Sequence, residues 1–160
     1  MTANIDESAR IVESTIGQSE IREHVTVHDS SIGDECNIYE RTSIKKCEIS
    51  DAVVVNAGSY VENTRIETNV QVGPNSNIVG VTHELSEQGM EFRNDLFEEI
   101  VLREGSFIGA GVVLAPGVEL GAGSVVAAGS TVLEDVDPGK IVLGSPPAQR
   151  VIDLHEWVNR

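Results

Sequence analysis

Between Leu102 and Val136 the apolar positions keep a period that neither a helix nor an alternating strand has. An aliphatic residue recurs every six positions, at Leu102, Ile108, Leu114, Leu120, Val126 and Val132. Four residues after each stands a small or β-branched residue: Ser106, Val112, Val118, Ser124, Ser130 and Val136. Gly, Ala and Pro fill most positions between. A helix repeats at about 3.6 residues and a strand at about 2. Six residues make a short strand plus a tight corner. Three such units close a triangular coil, and stacked coils form a β-solenoid. The aliphatic residue faces inward, the small residue fits where the chain turns, and glycine supplies unusual backbone angles at the corner.

A looser form of the pattern starts earlier, with apolar anchors from Ile5 through Ile11, Ile16, Ile21 and Val27 to Ile78. From Ile32 the steps run six, six and five, so that Ile32, Ile49 and Ile66 lie 17 residues apart. The short step recurs at Ser30-Ser31-Ile32, Cys47-Glu48-Ile49 and Thr64-Arg65-Ile66, which predicts one corner with one residue fewer. Less regular steps before Ile32 suit a terminal coil. The pattern breaks once, over residues 80–99, which predicts an extruded loop of functional character. That loop holds Phe92 and Phe97, two of three phenylalanines, so it is expected to pack against something. After Val136 the prolines of Asp137-Pro-Gly and Gly144-Ser-Pro-Pro-Ala148 stop the coiling. Val151, Ile152, Leu154 and Trp157 then fall near one helical face. The reading is a β-helix domain over 1–146 with the loop 80–99, closed by a helical cap over 147–160 that includes Trp157.

Composition narrows the function classes. Net charge is −15, from 26 acidic and 11 basic residues, and only Lys45, Lys46 and Lys140 are lysines. Such a surface disfavours nucleic acid and anionic membranes. It suits a soluble, self-repelling protein or one adapted to high salt, and a halophilic setting is the expectation carried forward. Cys36 takes an inward corner position after Ile32, and Cys47 precedes the anchor Ile49. Neither spacing resembles a metal knuckle or a disulfide framework. No stretch nears the roughly 18 apolar residues of a membrane span, and no basic or apolar leader opens the chain. A cytoplasmic protein is expected.

His83, following Thr82, is the one histidine of four that lies in the interrupting loop. A neutral imidazole there can take a proton from an acceptor hydroxyl or amine near neutral pH. Taken alone, a loop histidine is more often solvated than catalytic. The order of elements adds to it: Asn69-Val-Gln-Val-Gly-Pro-Asn75, Thr82-His83, the loop, Ile108-Gly-Ala-Gly, Leu114-Ala-Pro-Gly-Val and Gly144-Ser-Pro-Pro-Ala148. This order resembles the hexapeptide-repeat acyltransferases, most nearly the maltose, galactoside and related sugar acetyltransferases, over roughly residues 49–152. The resemblance implies a left-handed parallel β-helix, an all-β triangular solenoid with one extruded loop and a short C-terminal helix. It implies a homotrimer that binds acetyl-CoA in a cleft between parallel solenoids, without a metal. His83 matches the family base, with Thr82 beside it toward the acceptor. Arg93 in the loop either contacts the acceptor or pairs with a nearby glutamate. Asn56 is the nearest match to the family's active-site asparagine.

For the donor, the resemblance gives Gly109, Ala110, Ala127 and Ala128 as contacts along the pantetheine arm. Phe107 stands where a tryptophan is common beside the cleft. Glu134 stands where a basic residue often meets the nucleotide phosphates, leaving Lys140 and Arg150 for them. The acceptor implied is a small molecule, a sugar or nucleotide-linked amino sugar, at oxygen or nitrogen. Two other classes use solenoids. A γ-type carbonic anhydrase needs three histidines converging on zinc, and only His24 and His28 lie four apart, on early coils. A non-catalytic scaffold leaves Thr82-His83 without a role. Metal analysis separates the first and acetyl-CoA binding the second.

Overall fold

A computed structural model describes residues 2–160. Three parallel sheets form the sides of the solenoid. Sheet A begins at Asn4–Ile5, sheet B at Arg10–Val12 and sheet C at Thr15–Ile16, and the chain visits them in that order on every coil. The register keeps anchors above one another: Ile38, Val55, Val72, Ile108 and Val126 pair in succession along sheet A. Ile44, Val61, Ile78, Leu114 and Val132 do the same along sheet B. These rows are sealed from water and make one continuous core. Each buried aliphatic side chain contributes about 1.5–3 kcal/mol, and stacking identical positions lets every coil bury its neighbour's row.

Corner residues are small because the next coil lies directly above them. At the A–B corner the hydroxyls of Thr42, Ser59 and Ser76 donate to the carbonyls of Asn56, Gly73 and Gly109 in the adjoining coil. A Cβ on Gly73 would sit 2.5 Å from the amide of Ala110, and one on Gly109 would sit 2.6 Å from that of Ala128. Those glycines are required by packing. The shortened B–C corner turns on one residue in the left-handed region, at Asp29, Lys46 and Asn63 on successive coils. Cys36 and Cys47 are both free and buried. Burial pushes the Cys47 thiol up to about 12, so it is an inert core group.

The two ends differ from the middle. Ile5 is exposed and Ile11 and Ile16 are only partly covered, because among the described residues no coil lies below this first one. At the other end Lys140–Leu143 still continues sheet A, with Pro138 absorbed in the preceding corner. The tail is not helical throughout. Arg150–Asp153 forms a strand antiparallel to Lys140–Leu143, and only Leu154–Val158 is helix. The open strand edge at Lys140–Leu143 offers a ladder of hydrogen bonds, and Val151 and Ile152 are β-formers. Asp153 then caps the helix by accepting from the His155 amide at 2.9 Å.

Residues 80–99 are likewise more ordered than a loop. Val81–Ser86 and Gly89–Phe97 pair as an antiparallel hairpin that leaves the solenoid at the B–C corner. Its aromatics bury little within one chain: Phe92 is 77% and Phe97 52% exposed, with Leu85 and Met90 exposed beside them. The solenoid resumes at Ile100–Leu102, which is wholly buried.

Candidate functional site

The hairpin positions His83. In its root, Val81 faces Phe97, Thr82 faces Leu96 and His83 faces Asp95. The His83 Nδ1 lies 3.0 Å from Asp95 Oδ1, with each side chain about half exposed. A carboxylate there favours the tautomer with hydrogen on Nδ1, which leaves Nε2 as the proton acceptor. Beyond His83 the register shifts, so that Leu85 faces Met90 and residues 91–94 bulge opposite Glu84. Arg93 sits in that bulge with a φ of 63°, its guanidinium over the Phe92 ring. Bulges of this kind re-aim side chains beside sites. Thr82 lies on the opposite face of the hairpin from His83.

The remaining expected residues lie elsewhere. Asn56 is at the A–B corner, and its amide donates to the Val72 carbonyl at 2.8 Å. One chain therefore does not bring it to His83, which leaves from the B–C corner. The donor residues gather on the last coils around the A–B corner. Phe107 on sheet A and Val113 on sheet B are each 41% exposed. Between them Ala110 and Ala128 are exposed and Ala127 is partly covered, whereas Gly109 is buried. Gly109 thus shapes the ledge through packing, and its neighbours supply the surface. A narrow apolar ledge of this kind fits a pantetheine arm.

At the cap, Arg150, Ile152, Glu156, Trp157 and Arg160 line a cleft of about 460 Å³. The Arg160 guanidinium lies 3.4 Å from the centre of the Trp157 ring. Arg150 has no carboxylate within ion-pair distance among the described residues, but Lys140 is tied to Asp153 at 3.4 Å. Two guanidiniums beside an indole suit a nucleotide with phosphates, so Trp157 faces this cleft besides capping the fold. Glu134 is exposed on the turn after sheet B. Among the described residues no group of three or more His, Cys, Asp or Glu could hold a metal ion, and no helix is long and apolar enough to cross a membrane.

Sequence reasoning missed Asp95, the bulge and Arg160. Asp95 could have been found only from the hairpin pairing, and extending the Leu85–Met90 pairing evenly would set Phe92 opposite His83. The shift of register removes that inference.

Residues 99–134 match the family described as bacterial transferase hexapeptide (six repeats). The chain carries that repeat and the parallel β-helix built from it. A search of curated proteins found no match. Among solved structures, a mutant of AntD, an N-acyltransferase from Bacillus cereus in complex with dTDP and coenzyme A, is similar with a TM-score of 0.75. It is 18% identical, over 92% of this chain and 88% of that one. A hexapeptide-repeat-containing acetyltransferase from Vibrio cholerae is 25% identical, over 92% of this chain and 74% of that one, with a TM-score of 0.58. A mutant of perosamine N-acetyltransferase from Caulobacter crescentus, in complex with CoA and GDP-perosamine, has a TM-score of 0.58 at 20% identity. This chain covers 57% of its length, and 94% of this chain is matched.

Proposed function

We propose that this hexapeptide-repeat solenoid is an acetyl-CoA-dependent acetyltransferase acting on a sugar or a nucleotide-linked amino sugar. The observation that carries the reading is the His83–Asp95 pair on a hairpin extruded from an otherwise unbroken solenoid. Support comes from solved structures of the same fold that hold coenzyme A with dTDP or GDP-perosamine. His83 Nε2 takes the proton as the acceptor's amine or hydroxyl attacks the thioester carbonyl, then returns it to the departing CoA sulfur. Asp95 holds the imidazole in the required tautomer. Acetyl-CoA supplies the thioester. The A–B ledge would hold its arm, and the cleft of Arg150, Trp157 and Arg160 its nucleotide.

Ledge and hairpin occupy different corners of one chain, so the reading requires a second copy to bring them together. A homotrimer of parallel solenoids does this, laying the hairpin of one chain on the ledge of the next. It also covers Phe92, Leu85 and Met90, which are exposed in one chain, and it dries the half-exposed base. Asn56 would then reach a site only from a neighbouring chain.

Replacing His83 with Ala lowers turnover about 100-fold or more, the scale of a lost general base, and leaves acetyl-CoA binding within a small factor. Release of free thiol in the presence of amino sugars and nucleotide sugars measures it. Asp95→Asn gives a smaller loss of kcat, because the imidazole is then no longer held in one tautomer. Full turnover in the His83 variant would overturn the assignment.

A further inference from the structure

One face of the hairpin carries more than the base. Residues two apart on a strand share a face, so Asp95 and Phe97 point the same way, as do His83 and Val81 opposite them. The Lys46 ammonium lies 4.3 Å from the centre of the Phe97 ring. Two residues of strand span about 7 Å, so the Phe97 position that carries this cation stands two residue pairs from the His83–Asp95 pair, on the same face. That spacing is one hexose ring, the distance from an amine or hydroxyl on one side to a substituent on the anomeric carbon.

Four of the chain's cations are held in ion pairs. Arg22 is held by Glu20, Glu23 and Glu40, Arg65 by Glu99, Arg103 by Glu67 and Glu119, and Lys140 by Asp153. Lys46 is exposed and has no carboxylate within ion-pair distance among the described residues. Its backbone is fixed, with a φ of 51° and its amide donating to the His28 carbonyl at 3.0 Å. Lys45 stands beside it, its ammonium 5.6 Å from the Tyr60 ring. Of the acids on adjoining coils, Glu62 faces Lys45 and accepts from the Tyr60 hydroxyl at 2.6 Å, and Asp29 holds the same corner as Lys46 one coil earlier without pairing to it. On a chain of net charge −15, two adjacent lysines outside any ion pair among the described residues offer an anion a local positive site.

We propose that Lys46, seated on Phe97 and supported by Lys45, is the subsite for a phosphate on the acceptor, so that the acceptor is a phosphorylated sugar whose phosphate lies one ring from the atom that is acetylated. The proposal rests on the reading of His83 as base. A lysine binds phosphate as a point charge, and the ring beneath it holds the ammonium in place without neutralising it. The phosphates of CoA share this chemistry. The ledge and cap cleft place those at the A–B corner and the C-terminal end, away from Lys46.

The test uses the full chain, with Lys46→Asn and Lys46→Arg. Asn is chosen because Asn63, at the same corner one coil on, adopts the same left-handed conformation. In Lys46→Asn the KM for a nucleotide-linked amino sugar rises about 10-fold or more while kcat is kept, as for a lost charge-assisted contact. The KM for the same amino sugar without phosphate and that for acetyl-CoA stay unchanged, and Lys46→Arg restores most of the loss. Calorimetric titration with dTDP shows weaker binding to Lys46→Asn, a readout independent of turnover. Equal effects on charged and uncharged acceptors, unchanged dTDP binding, or a rise confined to the KM of acetyl-CoA would each overturn the subsite. Activity surviving in His83→Ala while Lys46→Asn still loses dTDP removes the base and leaves the phosphate subsite standing.

Discussion

At the scale of single residues, the C–A corner sets a comparison within one chain. The residue just before each strand of sheet A is Cys36, Val53, Val70, Ser106 and Ser124 in successive coils. Ser19, one coil before Cys36, donates its hydroxyl to the Gly33 carbonyl at 2.7 Å. The hydroxyls of Ser106 and Ser124 are buried and have no partner. A buried polar group without a bond costs about 1–3 kcal/mol. Valine already fits this corner two coils in a row, so the extra methyl groups have a precedent in shape. Ser106→Val is therefore expected to stabilise the fold by about 1 kcal/mol, raising the Tm by about 2–4 °C for a chain of this size. Thermal unfolding measures it, and an unchanged or lower Tm would show that the hydroxyl is satisfied.

At the scale of elements, the hairpin and the solenoid are nearly independent. Every position from Gly89 to Phe97 is exposed, and the coils above and below close through Gly80, Asn63 and Glu98. Replacing residues 81–97 by a tight turn should leave the circular dichroism and monomer stability of the solenoid almost unchanged, yet abolish the proposed transfer and weaken the proposed trimer. Loss of the fold itself would mean that the hairpin packs on its own solenoid. The same contrast explains what the sequence disclosed. The six-residue period located the core from Ile21 to Val132, the short corner and the inward place of Cys36, because burial repeats with the coil. It located His83 through the place where the period stopped. It did not disclose the hairpin, whose residues bury nothing and so obey no period, nor Asp95, which depends on an uneven register. The strand at Arg150–Asp153 escaped for a related reason: Val151 and Ile152 fit a helical face as well as a strand, and the open edge of the preceding strand decides.

At the scale of the whole molecule, charge is the dominant unbalanced quantity. Each chain carries −15, and the proposed trimer brings three such chains side by side. The ion pairs that oppose this, at Arg22 and Arg103, are about one-third exposed, and pairs so placed contribute little. Salt weakens them a little, and it weakens like-charge repulsion across three interfaces much more. The Debye length falls from about 10 Å at 0.1 M to about 3 Å at 1 M. CoA is itself an anion and approaches through the same field. The halophilic reading predicts accordingly: between 0.1 and 2 M KCl the Tm rises, the trimer's dissociation constant falls, and acetyl-CoA associates faster. Melting scans with light scattering at each salt concentration separate stability from assembly. A Tm that stays level or falls while the trimer persists would show that the acidic side chains are spaced widely enough to be harmless at low salt, and the high-salt adaptation would be withdrawn.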